Sequence, residues 1–316
     1  MDRFKGCLLG GAIGDALGAP VEFMPINLIQ NYYGLNGITD YVEYPDGTGE
    51  FTDDTQMTLF TAEAVLRFYQ RTIVDRSDLS LRAITIHSHI RWLLTQGEVP
   101  VEIPESEERP IESGWLIKRS ELFRRRAPGN TCLESIRNGQ RGSIGNPVNN
   151  SKGCGAIMRM APVGLMFSPT EAFSNGCEMA VLTHSHPTGY LTAGYFAALI
   201  SFINNGCSLI DAINAAIHIL KEQPNFAETL VAIEKSIQLY ENTKSITDPK
   251  TRCSPEHIES LGGGWIAEEA LAISLFCSLH YESDIRNGLL AAVNHSGDSD
   301  STGGYSGDVD PLVRSY

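Results

Sequence analysis

The chain is predicted to form a compact all-α domain, and three observations carry that prediction. Apolar residues recur at three-to-four spacing in several windows, the period of a helix with one buried face. Only Gly37–Tyr44 has strand character, from Ile38, Tyr41 and Val42. At 316 residues, 42% hydrophobic and 20% charged, the composition is that of an ordinary globular chain that can bury a sizeable core.

In chain order the periodicity predicts helices over 3–17, 53–70, 79–95, 115–125, 170–183, 188–205, 208–221, 226–241, 265–280 and 282–294. The window 53–70 opens on Thr52, an N-cap residue, with Asp53 and Asp54 in the first turn, where carboxylates suit the positive end of the helix dipole. Residues 190–203 are the most apolar run, too short for a membrane span, and read as a buried core helix. Gly, Pro, Asn and Asp mark loops at 44–51, 97–114, 139–156, 242–255 and 296–311. The glutamate- and proline-rich 97–114 stretch reads as an exposed excursion. No internal repeat, low-complexity block or linker divides the chain.

The formal charge of −14 argues against broad nucleic-acid or acidic-membrane binding. A small anionic ligand stays possible, since metals and backbone dipoles can reverse the sign inside one pocket. Seven cysteines occur singly, with no CxxC pair, which points to a reducing, cytoplasmic setting. The N-terminus contains Asp15 and lacks a long apolar run, so it makes a poor signal peptide.

Four short runs carry the candidate chemistry. Thr52-Asp53-Asp54-Thr55 and Asp298-Ser299-Asp300-Ser301-Thr302 pack carboxylates and hydroxyls into a few residues. These are hard oxygen ligands, suited to magnesium, manganese or calcium. Each also has a plainer reading, the first as a helix cap and the second as a polar turn. A rival reading of the second, the Asp-x-Asp-x-Thr loop of haloacid-dehalogenase-type phosphatases, requires an apolar strand before it, and Asn294-His295-Ser296-Gly297 is none. Gly14–Glu22 places Glu22 just beyond Pro20, as a general acid or base or as a solvated loop glutamate. Ser151–Arg159 is rich in small residues that expose backbone N–H groups, a cradle for an anion, without P-loop spacing. Arg159 reads either as a phosphate ligand or as the partner of an internal acid. His184 and His186, two apart, read as metal ligands or as hydrogen-bond donors to a phosphate or loop.

Taken together and in order, GDALGAPVEFM (14–24), FTDDT (51–55), GCGAIMRMAP (153–162), Thr183-His184, LGGGWIAEEALA (261–272) and NHSGDSDST (294–302) resemble the ADP-ribosylglycohydrolase family over nearly the whole chain. The resemblance implies an orthogonal multi-helix all-α domain that cleaves the N- or O-glycosidic bond between ADP-ribose and a modified side chain. Through Val21-Glu22-Phe23-Met24 it leans toward ADP-ribosyl-arginine, as in the bacterial dinitrogenase reductase-activating glycohydrolase. It implies two Mg²⁺ or Mn²⁺ ions, held by Thr52, Asp53 and Asp54 on one side and Asp298, Asp300 and Ser301 on the other. The catalytic group is then Glu22 with Asp53 and Asp300, and Ser151, Gly153, Cys154, Gly155 and His184 meet the ADP-ribose. Cys154 stands where several members carry asparagine, and Ser301 where threonine is frequent. The implied partner is an ADP-ribosylated protein or a small ADP-ribose conjugate.

After Thr302 the sequence departs from the family pattern. Residues 303–316 are polar and glycine-rich where relatives continue into an apolar, small-residue helix. The expectation is therefore a domain at 1–302 and a divergent or truncated tail that forms the helix poorly, leaving core near 265–302 uncovered. On that expectation a catalytically impaired protein that binds metal or ADP-ribose is the alternative function, and a metal-dependent phosphatase a more distant one.

Overall fold

A computed structural model describes residues 2–45, 47–76, 78–103 and 111–313. The chain runs through α1 (Asp2–Gly18), α2 (Ile26–Tyr33), a two-stranded antiparallel hairpin of β1 (Glu43–Tyr44) and β2 (Gly47–Thr48), α3 (Asp53–Tyr69), α4 (Leu81–Thr95), α5 (Asn130–Arg137), α6 (Ala161–Met166), α7 (Pro169–Ala180) and α8 (Pro187–Asn204). It continues through α9 (Leu209–Lys221), α10 (Ala227–Thr243), α11 (Pro249–Arg252), α12 (Pro255–Glu259), α13 (Ala267–His280), α14 (Ile285–Val293) and α15 (Ser299–Val313). The all-α expectation holds.

Helix α8 is the axis of the core. Every residue from Thr188 to Ser201 is buried, and α6, α7, α9 and α13 pack around it. A helix apolar on all sides is stable only when surrounded. A smaller cluster of Leu17, Val21, Ile29, Ile38, Leu289 and Val293 seats the chain after α1 against α14.

The largest correction concerns the tail. Residues 299–313 form a continuous helix, buried from Ser299 to Asp310, and residues 314–316 lie outside the described part. The glycines that weaken helix propensity are what allow the packing. A Cβ added at Gly14 would lie 2.0 Å from the Gly303 carbonyl oxygen, and one at Gly10 2.1 Å from that of Gly307. A Cβ at Gly18 would lie 2.2 Å from the Ser299 carbonyl oxygen. The two backbones thus touch along a four-residue repeat that no residue with a side chain could adopt. The core near 265–302 is covered, which also removes the premise on which an impaired binding protein was considered.

Two local expectations also fail. The stretch 115–125 forms two short 3₁₀ turns, Leu116–Lys118 and Ser120–Leu122, because the Glu63 carboxylate takes the N–H groups of Trp115 and Leu116. Of the strand expected at Gly37–Tyr44, only the last two residues pair. Ile38 is instead held on both sides by the Asn294 side-chain amide, at 2.8 and 2.9 Å. Part of the 97–114 excursion, residues 104–110, lies outside the described residues.

Candidate active site

The loops after α1 and α14 and the N-terminus of α3 converge, and each brings carboxylates. Thr52 caps α3: its hydroxyl accepts from the Asp54 N–H at 3.2 Å. Asp53 and Asp54 in the first turn are both buried. The plain capping reading is therefore correct as local structure, and the buried acids exceed what a cap needs. Asp15, on the last turn of α1, fixes this helix start. Its carboxylate accepts from the Thr52 N–H at 2.9 and 3.0 Å, the Thr55 N–H at 3.1 Å and the Thr55 hydroxyl at 2.5 Å.

Opposite stands the start of α15. Gly297 at φ +153° lies so close to the Gly263 carbonyl that only glycine fits, and the Asp298 N–H donates to that same carbonyl at 2.9 Å. The helix follows α14 rather than a strand, as the phosphatase loop would not. The two helix starts meet: Ser301 Oγ donates to Asp54 Oδ2 at 2.8 Å. Glu22, half-buried on the turn beyond α1, closes the third side. Carboxylate oxygens of Glu22, Asp298 and Asp300 all lie within 4.8 Å of one another.

Six carboxylates in one recess repel. Burial, then Asp300, holds Asp15 up to about 7. Burial, then Asp300, Asp53 and Asp15, holds Glu22 up to about 9. The same causes push Asp53, Asp54 and Asp298 well above the usual carboxylate range, and burial raises Asp300. Some of the cost is offset by donors: Gly129 N–H to Asp53 at 3.2 Å, and the Cys154 thiol to Asp298 at 2.9 Å. Asp300 Oδ1 is buried with no hydrogen-bond partner. An orphaned carboxylate oxygen beside two other carboxylates, with a donor set made of oxygen, fits a hard divalent cation.

The small-residue run lies along one flank. Gly153 pairs with Ile266 as an isolated bridge, and the Cys154 N–H donates to the Trp265 carbonyl at 3.1 Å. The Gly153 N–H turns to Ser151 Oγ at 3.4 Å. So this loop is braced against Trp265–Ala267, with fewer free N–H groups than a cradle of small residues suggests. Cys154 points its thiol at Asp298, burial pushing that thiol well up, and its carbonyl accepts from the Tyr305 hydroxyl at 3.0 Å. A Cβ at Gly155 would meet His184 Cε1 at 3.1 Å, which places the imidazole directly under the loop.

Arg159 sets the state of that imidazole. It is fully buried and donates to Thr183 Oγ1 at 2.5 Å. Guanidinium has no acceptor, so the Thr183 hydroxyl proton is directed elsewhere, and His184 Nδ1 at 2.8 Å is closer than the Ala180 carbonyl at 3.3 Å. Nδ1 then accepts and Nε2 carries the proton. Burial, then Arg159, pulls His184 down to about 3, so the ring stays neutral with its Nε2–H toward Gly153 and Gly155. Arg159 is thus an internal support, its nearest acid influence being Asp53. His186 is a helix cap, accepting from the Thr188 N–H at 3.1 Å.

Sequence reasoning missed three groups here. Asp15 had a signal, a charged residue in the apolar, glycine-rich part of α1 that follows Lys5. Tyr305 lay in the stretch read as tail. The stacked pair Phe23–Trp265, centroids 5.0 Å apart, stands exposed beside Glu22, with Phe23 held at φ +66°. A bulky side chain in that region is strained, and such strain concentrates at functional sites.

Known proteins share this sequence pattern and this fold. A family profile described as ADP-ribosylglycohydrolase matches residues 1–309. An uncharacterized protein of Archaeoglobus fulgidus is 26% identical over 98% of this chain and 86% of its own length. The ADP-ribosyl-[dinitrogen reductase] glycohydrolase of Rhodospirillum rubrum is 24% identical over 93% of this chain and 90% of its own. ADP-ribosylarginine hydrolase Tri1 of Serratia proteamaculans is 25% identical over 66% of this chain, and the match spans 49% of that relative. A solved structure titled ADP-ribosylglycohydrolase-related protein complex superposes with a TM-score of 0.63 at 18% identity, covering 99% of this chain and 87% of that one, a likeness of fold. No helix among the described residues is long and apolar enough to cross a membrane.

Proposed function

From the membership of this chain in the ADP-ribosylglycohydrolase family, whose hydrolases act on ADP-ribose linkages, we propose that it is a divalent-cation-dependent hydrolase that removes ADP-ribose from a modified side chain, with ADP-ribosyl-arginine its linkage and an ADP-ribosylated protein or small conjugate its substrate. The observation that carries the reading is the convergence of Glu22 with Asp298 and Asp300, next to Asp53 and Asp54, around a buried carboxylate oxygen that lacks a partner. The arginine linkage rests on the names of relatives such as Tri1 and on the Val21–Met24 match.

Two Mg²⁺ or Mn²⁺ ions fit this donor set, with Thr52, Asp53 and Asp54 as one group of ligands and Asp298, Asp300 and Ser301 as the other. Bound there, they would supply positive charge to the ribose hydroxyls and lower the pKa of a coordinated water. The protein's own groups do the rest. Ser151 and the His184 Nε2–H meet the diphosphate beside Gly153, Cys154 and Gly155. Glu22 stands at the open side, where it can hold or move a proton at the glycosidic atom as the bond breaks toward an oxocarbenium-like state. All seven cysteines are unpaired, which favours a reducing cytoplasmic location.

The test is release of ADP-ribose from matched ADP-ribosyl-arginine and ADP-ribosyl-serine peptides. The arginine peptide is expected to be cleaved, with loss of activity in EDTA and recovery on adding Mn²⁺ or Mg²⁺. Glu22→Gln should lower the rate roughly 10²–10⁴-fold while ADP-ribose binding persists. Cleavage of neither peptide with either metal would sink the reading, and cleavage of the serine peptide alone would reassign the linkage.

A further inference from the structure

The donors gathered around Asp298 and Asp300 are oxygen atoms with one exception. The Cys154 thiol lies 2.9 Å from Asp298 Oδ2, and the charge of Asp54 and the Ser301 hydroxyl reach it as well. A soft sulfur atom thus stands at the edge of a hard cluster, beside both helix starts that carry the acids. Asp298 in turn has carboxylate oxygens of Glu22 and Asp300 within 4.8 Å of its own. Asp300 is 4% exposed, and its Oδ1 is buried with no hydrogen-bond partner. The orphaned oxygen calls for a cation, and the sulfur bears on which one.

The sulfur is carried on a pinned backbone. The Cys154 N–H donates to the Trp265 carbonyl at 3.1 Å, and the Cys154 carbonyl accepts from the Ile157 N–H at 2.9 Å and the Tyr305 hydroxyl at 3.0 Å. The thiol can then move only by rotation about its own Cα–Cβ bond. A tetrahedral zinc ion with Zn–S of about 2.3 Å and Zn–O of about 2.1 Å sets sulfur and oxygen about 3.6 Å apart, so the present contact has to open by about 0.7 Å. That is within the reach of a small side-chain rotation. Donation to Asp298 does not by itself require sulfur, because a serine hydroxyl would do the same.

We propose that Cys154, with Asp298 and Asp300, forms a site for a thiophilic divalent cation, Zn²⁺ or Cd²⁺, which competes there with Mg²⁺ or Mn²⁺. The inference rests on the cation site of the function proposed above and goes beyond it in the class of ion. On binding, the Sγ–H bond breaks, a sulfur–metal bond forms and the proton leaves to the buffer, with no change of oxidation state. Affinity at a shared donor set already rises from Mn²⁺ to Zn²⁺, and a thiolate steepens that order.

The experiment titrates the metal-free full chain with Cd²⁺, reading the ultraviolet sulfur-to-cadmium charge-transfer band, and with Zn²⁺ and Mn²⁺ by calorimetry. In the wild-type protein the band should grow with the first equivalent of Cd²⁺, and preloading with Mn²⁺ should delay it. Cys154→Ser keeps a donor to Asp298 and removes the sulfur. It should lose that band and bind Zn²⁺ about 100-fold more weakly, with Mn²⁺ affinity within about 3-fold of wild type. Asp298→Asn keeps every thiol, including Cys253 and Cys277, whose sulfurs lie 3.9 Å apart and offer cadmium a rival site. It should weaken the binding that the band reports by about 10-fold or more, and it decides the matter if Cys154→Ser does not fold. A band unchanged in either variant, or a loss of Zn²⁺ affinity no larger than that of Mn²⁺, would overturn the proposal. Binding of Mn²⁺ without a Cys154-dependent band overturns it alone and leaves the hydrolase reading standing. A Cys154-dependent band in a protein that cleaves neither ADP-ribosyl peptide supports the site while the hydrolase reading falls. No binding of any of the three ions overturns both.

Discussion

The two helix starts that carry the acids are built in opposite ways. At α3 the chain supplies its own hydrogen-bond donors: Thr52 caps, and the Asp15 carboxylate is filled by two backbone N–H groups and a hydroxyl. At α15 the supply runs short. Asp298 has a thiol for its donor, Asp300 Oδ1 has none, and Asp300 is a charge that raises Asp15, Glu22, Asp53, Asp54 and Asp298 together. Asp15 thus makes the α3 start a finished backbone joint, while Asp53 and Asp54 on that turn and Asp298 and Asp300 on the other still repel one another, a balance that waits on a cation. An acidic cluster is thus informative less by its charge than by what its oxygens already hold.

The sharpest way to break this comparison is to neutralise one acid from each side. Asp300→Asn should lose several kcal/mol of transition-state stabilisation, on the order of 10³-fold in rate, by removing a charged ligand. The same change should raise the melting temperature of the metal-free protein, because it removes the repulsion shared by five neighbours. Asp15→Asn should do the reverse in stability. It keeps one acceptor oxygen where four contacts converge, and should cost about 1–3 kcal/mol in urea unfolding. If both variants shift metal-free stability in the same direction, the distinction between joint and site is wrong.

A smaller effect probes how the α15 side is held in place. Gly14→Ala would put a Cβ against the Gly303 backbone, which cannot yield as a flexible side chain would. The helices must part, at a cost of about 1–3 kcal/mol. Gly18→Ala sits at the end of the same seam, where its Cβ would be 2.4 Å from the Asp300 N–H nitrogen. It should weaken Mn²⁺ binding, read by calorimetry, beyond what its stability loss explains. Gly145→Ala, with open space around it, should change unfolding by less than about 0.5 kcal/mol.

That seam also marks the limit of what the sequence discloses. Long amphipathic or apolar helices such as α3, α4, α8, α9 and α10 were legible because their burial repeats with the helical period. The short helices α2, α5 and α6 offer fewer than three turns, too little for a period to stand out. Helix α15 was misread for a different reason. Local propensity condemns Gly303, Gly304 and Gly307, and only the facing glycines of α1, some 290 residues away in sequence, turn them into an advantage. In the site, Asp53, Asp54, Asp298 and Asp300 were visible as clusters. Asp15 was not, since it is a single charged residue in the apolar, glycine-rich part of α1 and only the fold brings it against Thr52 and Thr55.

The least of the expected effects is also the most continuous test of the contrast, because it follows stability against pH in the metal-free protein. The acids of the site have folded values above their unfolded ones, with Asp15 at about 7 and Glu22 at about 9. The folded state then binds more protons than the unfolded chain from about pH 4 upward, and stability falls as pH rises through that window. The buried histidines act at the other end. His89 and His184 are held down to about 3 by burial and Arg159, so the unfolded chain takes up protons below its value near 6.5 and stability falls as pH drops. The raised acids outnumber the lowered histidines, so the maximum for the metal-free protein lies at about pH 4–5, where the unfolded carboxylates begin to take up protons. A divalent cation keeps the carboxylates ionised in the folded state, so it should remove the alkaline slope and leave the acid one. The melting temperature gained on adding Mn²⁺ should therefore be larger at pH 8 than at pH 6. His89→Gln, remote from the acids and bonded to Gln140 at 2.7 Å, should flatten only the acid limb. A Mn²⁺ gain independent of pH would mean that the acids of the site are already neutralised by the protein itself.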